Sequence, residues 1–221
     1  LYAKGIADSM NLNVQIHETK ISTLAVQGPK SLDVMKKVFG DEIGKLKFFN
    51  FNYFKFEDID FMISKSGFSK QGGYEIYVEN LKSGLKLYDY IIKVGKKFNL
   101  KPGCPNVIER IEGALLSYGN DMDNNDNPFE CGLDKYVNLD SNIEFLGKKA
   151  LQKAKSEGIK RKLMGVKIKG KKINLTKEIE LVNENRKTIG HLRSAVYSPR
   201  FKMIVGIAMI NLEHCNVSQN F

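Results

Sequence analysis

The chain has 221 residues, of which 42% are hydrophobic and 27% charged, an ordinary globular composition with room for one large or two smaller domains. It contains no run of the roughly 18 apolar residues that a membrane-spanning helix needs. Its three cysteines and three histidines are too scattered to build a disulfide framework or a metal knuckle, so no metal site is expected.

Free thiols suit a reducing compartment, and a cytoplasmic location is expected. The opening Leu1-Tyr2-Ala3-Lys4-Gly5 has neither an initiator Met nor a signal-peptide pattern, so the chain reads as a central-to-C-terminal fragment of a longer polypeptide. The net charge is +10, and eleven Lys and Arg lie between Lys148 and Lys172 against one acid, Glu157. A basic stretch of this kind can bind nucleic acid or draw in a small polyanion. A solvated lysine-rich surface accounts for it as well, and no nucleic-acid partner is expected.

In chain order, Ser22-Thr23-Leu24-Ala25-Val26-Gln27 reads as a strand ended by the Gly28-Pro29 turn signal. Pro29 suits the first turn of a helix carrying Leu32, Val34, Met35 and Val38 on one side. Residues 48–64 read as two strands turning at Glu57-Asp58, and residues 74–78 as a third. In that third strand Tyr74, Ile76 and Val78 share one face, and Glu75 and Tyr77 share the other. Helices are expected over 83–97 and 105–116, the first burying Leu87, Tyr88, Ile91, Ile92 and Val94. Arg110 falls off the apolar stripe of the second.

The polar loop 120–128 resembles a calcium loop, but Asp126 stands at the glycine position and Gly132 at the bidentate acid. Helix capping and side-chain-to-backbone bonds are its expected use. A short basic helix over 146–157 is stopped by Gly158, and four strands follow over 162–168, 178–182, 188–197 and 203–210. The fold class is α+β: antiparallel sheets with packed helices, then a small C-terminal β-barrel or jelly roll. The expected division is 1–160 and 161–221.

Signatures for dinucleotides, P-loop phosphates, zinc proteases and serine hydrolases are absent. What stands out is the glycine-rich turn Ser66-Gly67-Phe68-Ser69-Lys70-Gln71-Gly72-Gly73, which delivers Glu75 on a short strand. Glycine lets backbone approach a flat ligand closely, and a carboxylate can grip an edge that offers two parallel N–H donors.

Three blocks, residues 72–78, 110–123 and 127–133, together with Leu24-Ala25-Val26-Gln27-Gly28-Pro29, Phe145-Leu146-Gly147-Lys148-Lys149-Ala150-Leu151 and Tyr197-Ser198-Pro199, resemble the folate-dependent aminomethyltransferase family. Its best-known member is the T-protein of the glycine cleavage system. The matches run in order from about residue 22 to 210. Phe68-Ser69-Lys70-Gln71, the Gly113-Ala114 order, Phe129-Glu130-Cys131-Gly132-Leu133-Asp134 and Arg193-Ser194-Ala195-Val196-Tyr197 resemble its dimethylsulfoniopropionate demethylase branch.

The resemblance implies methyl transfer from that sulfonium, a small-molecule substrate, to N5 of tetrahydrofolate as co-substrate. The products would be 5-methyltetrahydrofolate and methylmercaptopropionate. The alternatives are aminomethyl transfer in glycine cleavage and a basic nucleic-acid-binding module without catalysis. By resemblance, Glu75 holds the pterin and Arg110 lies at the folate site. Tyr77, on the same strand face as Glu75, is placed to pack on the pterin or the substrate, and a half-buried sheet tyrosine accounts for it equally. Phe49 and Phe68 are the expected aromatic walls, since aromatic faces attract desolvated cations by about 2 kcal/mol. The family's acid near the reacting centre lies upstream of this chain, so the catalytic residues are unassigned. A homodimer and no membrane partner are implied.

Overall fold

The computed structural model describes residues 2–104 and 106–215, and the chain divides into two compact units, Leu1–Cys104 and Pro105–Phe221. The first unit holds α1 (Tyr2–Ser9), β1 (Ser22–Gln27), α2 (Ser31–Phe39), β2 (Phe51–Phe56), β3 (Ile59–Ser64), β4 (Gly73–Val78) and α3 (Leu81–Gly95). Its antiparallel sheet has the order β1-β4-β3-β2. β2 and β3 form the expected hairpin around Glu57-Asp58, with Phe56 paired to Ile59. β1 pairs with β4, 46 or more positions along the chain, a partnership that no local pattern could announce.

The alternation in these strands sorts the two sheet faces. Val26, Phe61, Ile63, Tyr74, Ile76 and Val78 are buried, packed with Val34 and Met35 of α2 and Leu87 and Ile91 of α3. Each such aliphatic side chain removed from water stabilises by about 1.5–3 kcal/mol. α3 is capped by Asn80, whose side chain accepts from the Ser83 amide at 3.1 Å. Its buried stripe is Ser83, Gly84, Leu87, Ile91 and Gly95, so Tyr88, expected inside, is 38% exposed. The reason is steric. A Cβ on Gly84 would strike Val78 and one on Gly95 would strike Leu100, so the helix seats on its smallest residues.

The second unit holds α4 (Val107–Glu112), α5 (Lys148–Glu157), β5 (Arg161–Ile168), β6 (Ile179–Val182), β7 (Thr188–Ser198) and β8 (Met203–Asn211). Its antiparallel sheet has the order β5-β8-β7-β6, which places the four strands where their alternation put them. α4 is shorter than the expected 105–116. The Asn106 side chain caps it by accepting from Ile108, and Gly113 with left-handed Ala114 (φ 49°) ends it. Pro105 and Phe221 lie outside the described residues.

Arg161, the expected start of a C-terminal domain, is the first residue of β5, and this strand is bonded to the loop that precedes it in the chain. Leu163 donates its amide to the Glu130 carbonyl at 2.8 Å, and Arg161 pairs with both Asp126 and Glu130 at 3.0 Å. In the basic stretch, the Lys148 ammonium is buried against the Ser141 and Ile143 carbonyls and Glu144. Apart from Lys148 and Arg161, the lysines of 148–172 are exposed.

Candidate functional site

Glu75 sits in the middle of β4, on the sheet face away from the helices. The register sets Ala25 beside it on one side and Ser64 on the other, with Phe51 beyond Ser64. The next row on that face runs Thr23, Tyr77, Met62 and Tyr53. Paired residues in neighbouring strands share a face. An acid therefore lies between small residues of β1 and an aromatic border of β2, whose Phe51 and Tyr53 meet edge-on at 6.5 Å. Both are 61% exposed.

The carboxylate of Glu75 is held. Ser66 Oγ donates to its Oε2, and Ser64 Oγ stands 2.5 Å from Ser66 Oγ. Ser64 Oγ is 3.5 Å from the Tyr77 hydroxyl, the outer limit of a hydrogen bond. Glu75 and Tyr77, both assigned to the site from the sequence, are thus linked through two serines that were not. Ser66 heads the glycine-rich turn that stands out in the sequence, but nothing local marks it as a partner of Glu75. Ser64 comes opposite Glu75 only through the pairing of β3 with β4.

The glycine-rich turn is fastened by Gln27 at the end of β1. Its Nε2 donates to the carbonyls of Ser66 (3.1 Å) and Tyr74 (3.3 Å), and its Oε1 accepts from Ser69 Oγ (2.8 Å). Gly72 adopts φ 80° and Lys70 φ 58°, left-handed values that favour glycine and cost other residues about 1 kcal/mol. Phe68, on this turn, is 46% exposed. Phe49 is 76% exposed, lies tilted by 48° against Phe48 with 4.2 Å between centroids, and donates its amide to the Lys65 carbonyl. It lies next along the chain from the Phe51 border, just before β2.

Arg110 belongs to the second unit. Its Nη1 donates to Asp121 Oδ2 at 2.7 Å and its Nη2 to Ser194 Oγ at 2.9 Å. Asp121 is fully buried and also accepts from the Ser117 amide and the Ser194 hydroxyl. Arg110 Nη1 also donates to the Leu115 carbonyl at 3.4 Å, which leaves the Nε hydrogen and one Nη2 hydrogen of the guanidinium fork for another acceptor. From the sequence Asp121 reads only as a member of the 120–128 loop, whose side chains are expected to bond backbone, and Ser194 only as part of the 193–197 block; neither is marked as a partner of Arg110. That loop does order its backbone with side chains: Asp126 accepts from the Asp123 amide, Asp123 from the Asn125 amide, and Asn127 from the Phe129 and Glu130 amides.

Burial is the largest influence on the Cys131 thiol behind this loop, with the Asp126 and Glu130 carboxylates adding to it and Arg193 and Arg161 opposing. Its pKa is pushed up to about 11. An inert, protonated thiol is the consequence at neutral pH.

Two family models match. One described as the GCVT N-terminal domain covers residues 3–141, and one described as the glycine cleavage T-protein C-terminal barrel domain covers residues 161–221. The chain belongs to the glycine cleavage T-protein family.

Among its relatives, dimethylsulfoniopropionate demethylase DmdA of Ruegeria pomeroyi is 38% identical over 96% of this chain and 58% of its own length. An aminomethyltransferase of Caldanaerobacter subterraneus is 33% identical over 90% of this chain and 53% of its own length. The chain therefore spans a little over half of these relatives. The crystal structure of glycine cleavage system aminomethyltransferase T from Bartonella henselae superposes with a TM-score of 0.75 at 20% identity, over 96% of this chain and 58% of that one. That likeness bears on the fold, which is T-protein-like with a C-terminal barrel domain.

Proposed function

We propose that this protein moves a methyl group from a sulfonium, dimethylsulfoniopropionate, to N5 of tetrahydrofolate, the co-substrate on which its family depends. The observation that carries the folate part is Glu75, oriented by Ser66 on an open sheet face beside Tyr77. Its two oxygens match the paired N–H groups of an aminopyrimidinone edge, and small Ala25 and Thr23 leave room for a flat ring.

In the reaction the N5 lone pair forms the new N–CH3 bond as the S–CH3 bond breaks. The bonding pair stays on sulfur as a neutral thioether, and the N5 proton is released. Holding N5 in line with the methyl carbon can itself lower the barrier by roughly 7–11 kcal/mol. Phe49 and Phe68, exposed near the turn, are assigned to the cation's aromatic walls, and Arg110 to a folate carboxylate. A homodimer in the cytoplasm is part of the same proposal. Among the described residues, no helix is long and apolar enough to cross a membrane.

The demethylase reading is favoured by the Phe68-Ser69-Lys70-Gln71 turn and by the 38% identity to DmdA. Aminomethyl transfer is the second reading, favoured by relatives such as the Caldanaerobacter enzyme. Incubating the protein with tetrahydrofolate and the sulfonium should yield 5-methyltetrahydrofolate by mass spectrometry. Absence of that product, with turnover of an aminomethyl-lipoyl carrier instead, would overturn the first reading for the second.

A further inference from the structure

We infer that Ser66 is a positioning residue for ligand recognition, setting the plane of the Glu75 carboxylate against the pterin edge. This rests on the proposed role of Glu75. A glutamate on an exposed strand face is free to turn about its side-chain bonds, and fixing such a chain costs up to about 2 kcal/mol. Ser66 has already met that cost here. Its hydroxyl donates to Oε2, while its own carbonyl is held from behind by Gln27 Nε2 at 3.1 Å. The donor is therefore fixed at both ends, through the turn and through the strand.

The proton inventory supports a recognition role. An ionised carboxylate only accepts, and it offers about four lone-pair sites. An aminopyrimidinone takes one site on each oxygen, which leaves a second site on Oε2 for Ser66. Both partners can bind at once. Because the single Ser66 hydrogen is spent on Glu75, its oxygen is left to accept from Ser64, 2.5 Å away. Ser64 in turn stands 3.5 Å from the Tyr77 hydroxyl. A ligand gripped by Glu75 would therefore also be felt at Tyr77, one row along the same face.

Dissociation constants for tetrahydrofolate, measured by titration calorimetry on the full chain, test this. Ser66→Ala should weaken binding roughly tenfold, the scale of one hydrogen bond to a charged group. Ser66→Cys, which keeps the shape but donates poorly, should match it, and Ser66→Thr should restore most of the affinity. In a Glu75→Gln background, Ser66→Ala should add little further loss. Thermal unfolding of the alanine and cysteine variants should stay close to that of the parent.

Full additivity of the two losses, or a loss that tracks a fall in Tm, would mean that Ser66 only shapes the turn. Unchanged affinity in Ser66→Ala and Ser66→Cys, with affinity lost in Glu75→Gln, overturns the Ser66 inference alone. Unchanged affinity in Glu75→Gln, or no binding by the parent, overturns the role of Glu75 and this inference with it.

Discussion

Gln27 lies against the bare Cα of Gly73: a Cβ built there would sit inside the Gln27 amide group, and so would one on Gly67. One side chain from the end of β1 thus fills the space that two glycines of the 66–73 turn leave open. It then uses both ends of its amide to bond Ser66, Ser69 and Tyr74.

Gly73→Ala is expected to destabilise by about 1–3 kcal/mol, as overpacking does, and to weaken tetrahydrofolate binding by displacing the turn. Gln27→Ala should also weaken binding, by releasing the turn. The double variant should lose less stability than the sum, because Ala at 27 makes room for the new methyl group. Urea unfolding of the four proteins checks this, and strict additivity would show that Gly73 and Gln27 do not share the space.

Asp121 and Arg110 form the most buried ion pair of the second unit's loop, with the carboxylate wholly covered and the guanidinium side chain 12% exposed. Asp121→Ala is expected to cost about 3–5 kcal/mol, because it leaves a mostly buried cation without its partner. Asp121→Asn should cost less, since the Ser117 amide keeps an acceptor. Arg110→Ala measures a different quantity as well. If the remaining N–H groups serve a ligand, tetrahydrofolate binding should fall by more than the stability change of the Asp121 variants would account for, as read by calorimetry beside thermal unfolding.

Much of this was legible from local pattern. The alternation Tyr74-Glu75-Ile76-Tyr77-Val78 sorted β4 correctly into a buried and an open face, because strand periodicity survives whatever the strand pairs with. The hairpin at Glu57-Asp58 and the barrel strands were readable for the same reason. What escaped were features made by distant partners or by the absence of side chains. Gln27 looks like any strand-end amide until Gly67 and Gly73 arrive some 40 positions later. The seat of α3 on Ser83, Gly84 and Gly95 is invisible to a count of apolar residues, which favours Tyr88. The α4 stop depends on Ala114 taking a left-handed turn that its composition does not require. Asp121 reads as one acid among many in a polar loop until Arg110, Ser117 and Ser194 close around it.

Tyr74 carries a cost that the core tolerates. The side chain is 1% exposed and its hydroxyl has no hydrogen-bond partner among the described residues, and burial pushes its phenol above its usual pKa. An unpaired buried hydroxyl costs about 1–3 kcal/mol. Tyr74→Phe should therefore be neutral or stabilising by about 1 kcal/mol in urea unfolding, with tetrahydrofolate binding unchanged. A clear destabilisation would mean that the hydroxyl has a partner, such as ordered water.

Cys131 makes stability depend on alkaline pH, and the sign follows from its raised pKa of about 11 against an ordinary 9.0. Between these values the unfolded chain releases the thiol proton while the folded chain keeps it. The folded state then binds more protons, so unfolding free energy falls as pH rises. The contribution is fully present below pH 9 and is lost progressively as pH climbs through about 11. Cys131→Ala should flatten that limb while costing about 1 kcal/mol of packing at neutral pH. Burial of Tyr74 acts in the same direction at higher pH, so the comparison is cleanest in a Tyr74→Phe background. The same protonated, 8% exposed thiol should resist iodoacetamide at pH 8, whereas exposed Cys104 reacts. Peptide mapping that found Cys131 alkylated as fast as Cys104 in folded protein would contradict both the burial and the alkaline slope it predicts.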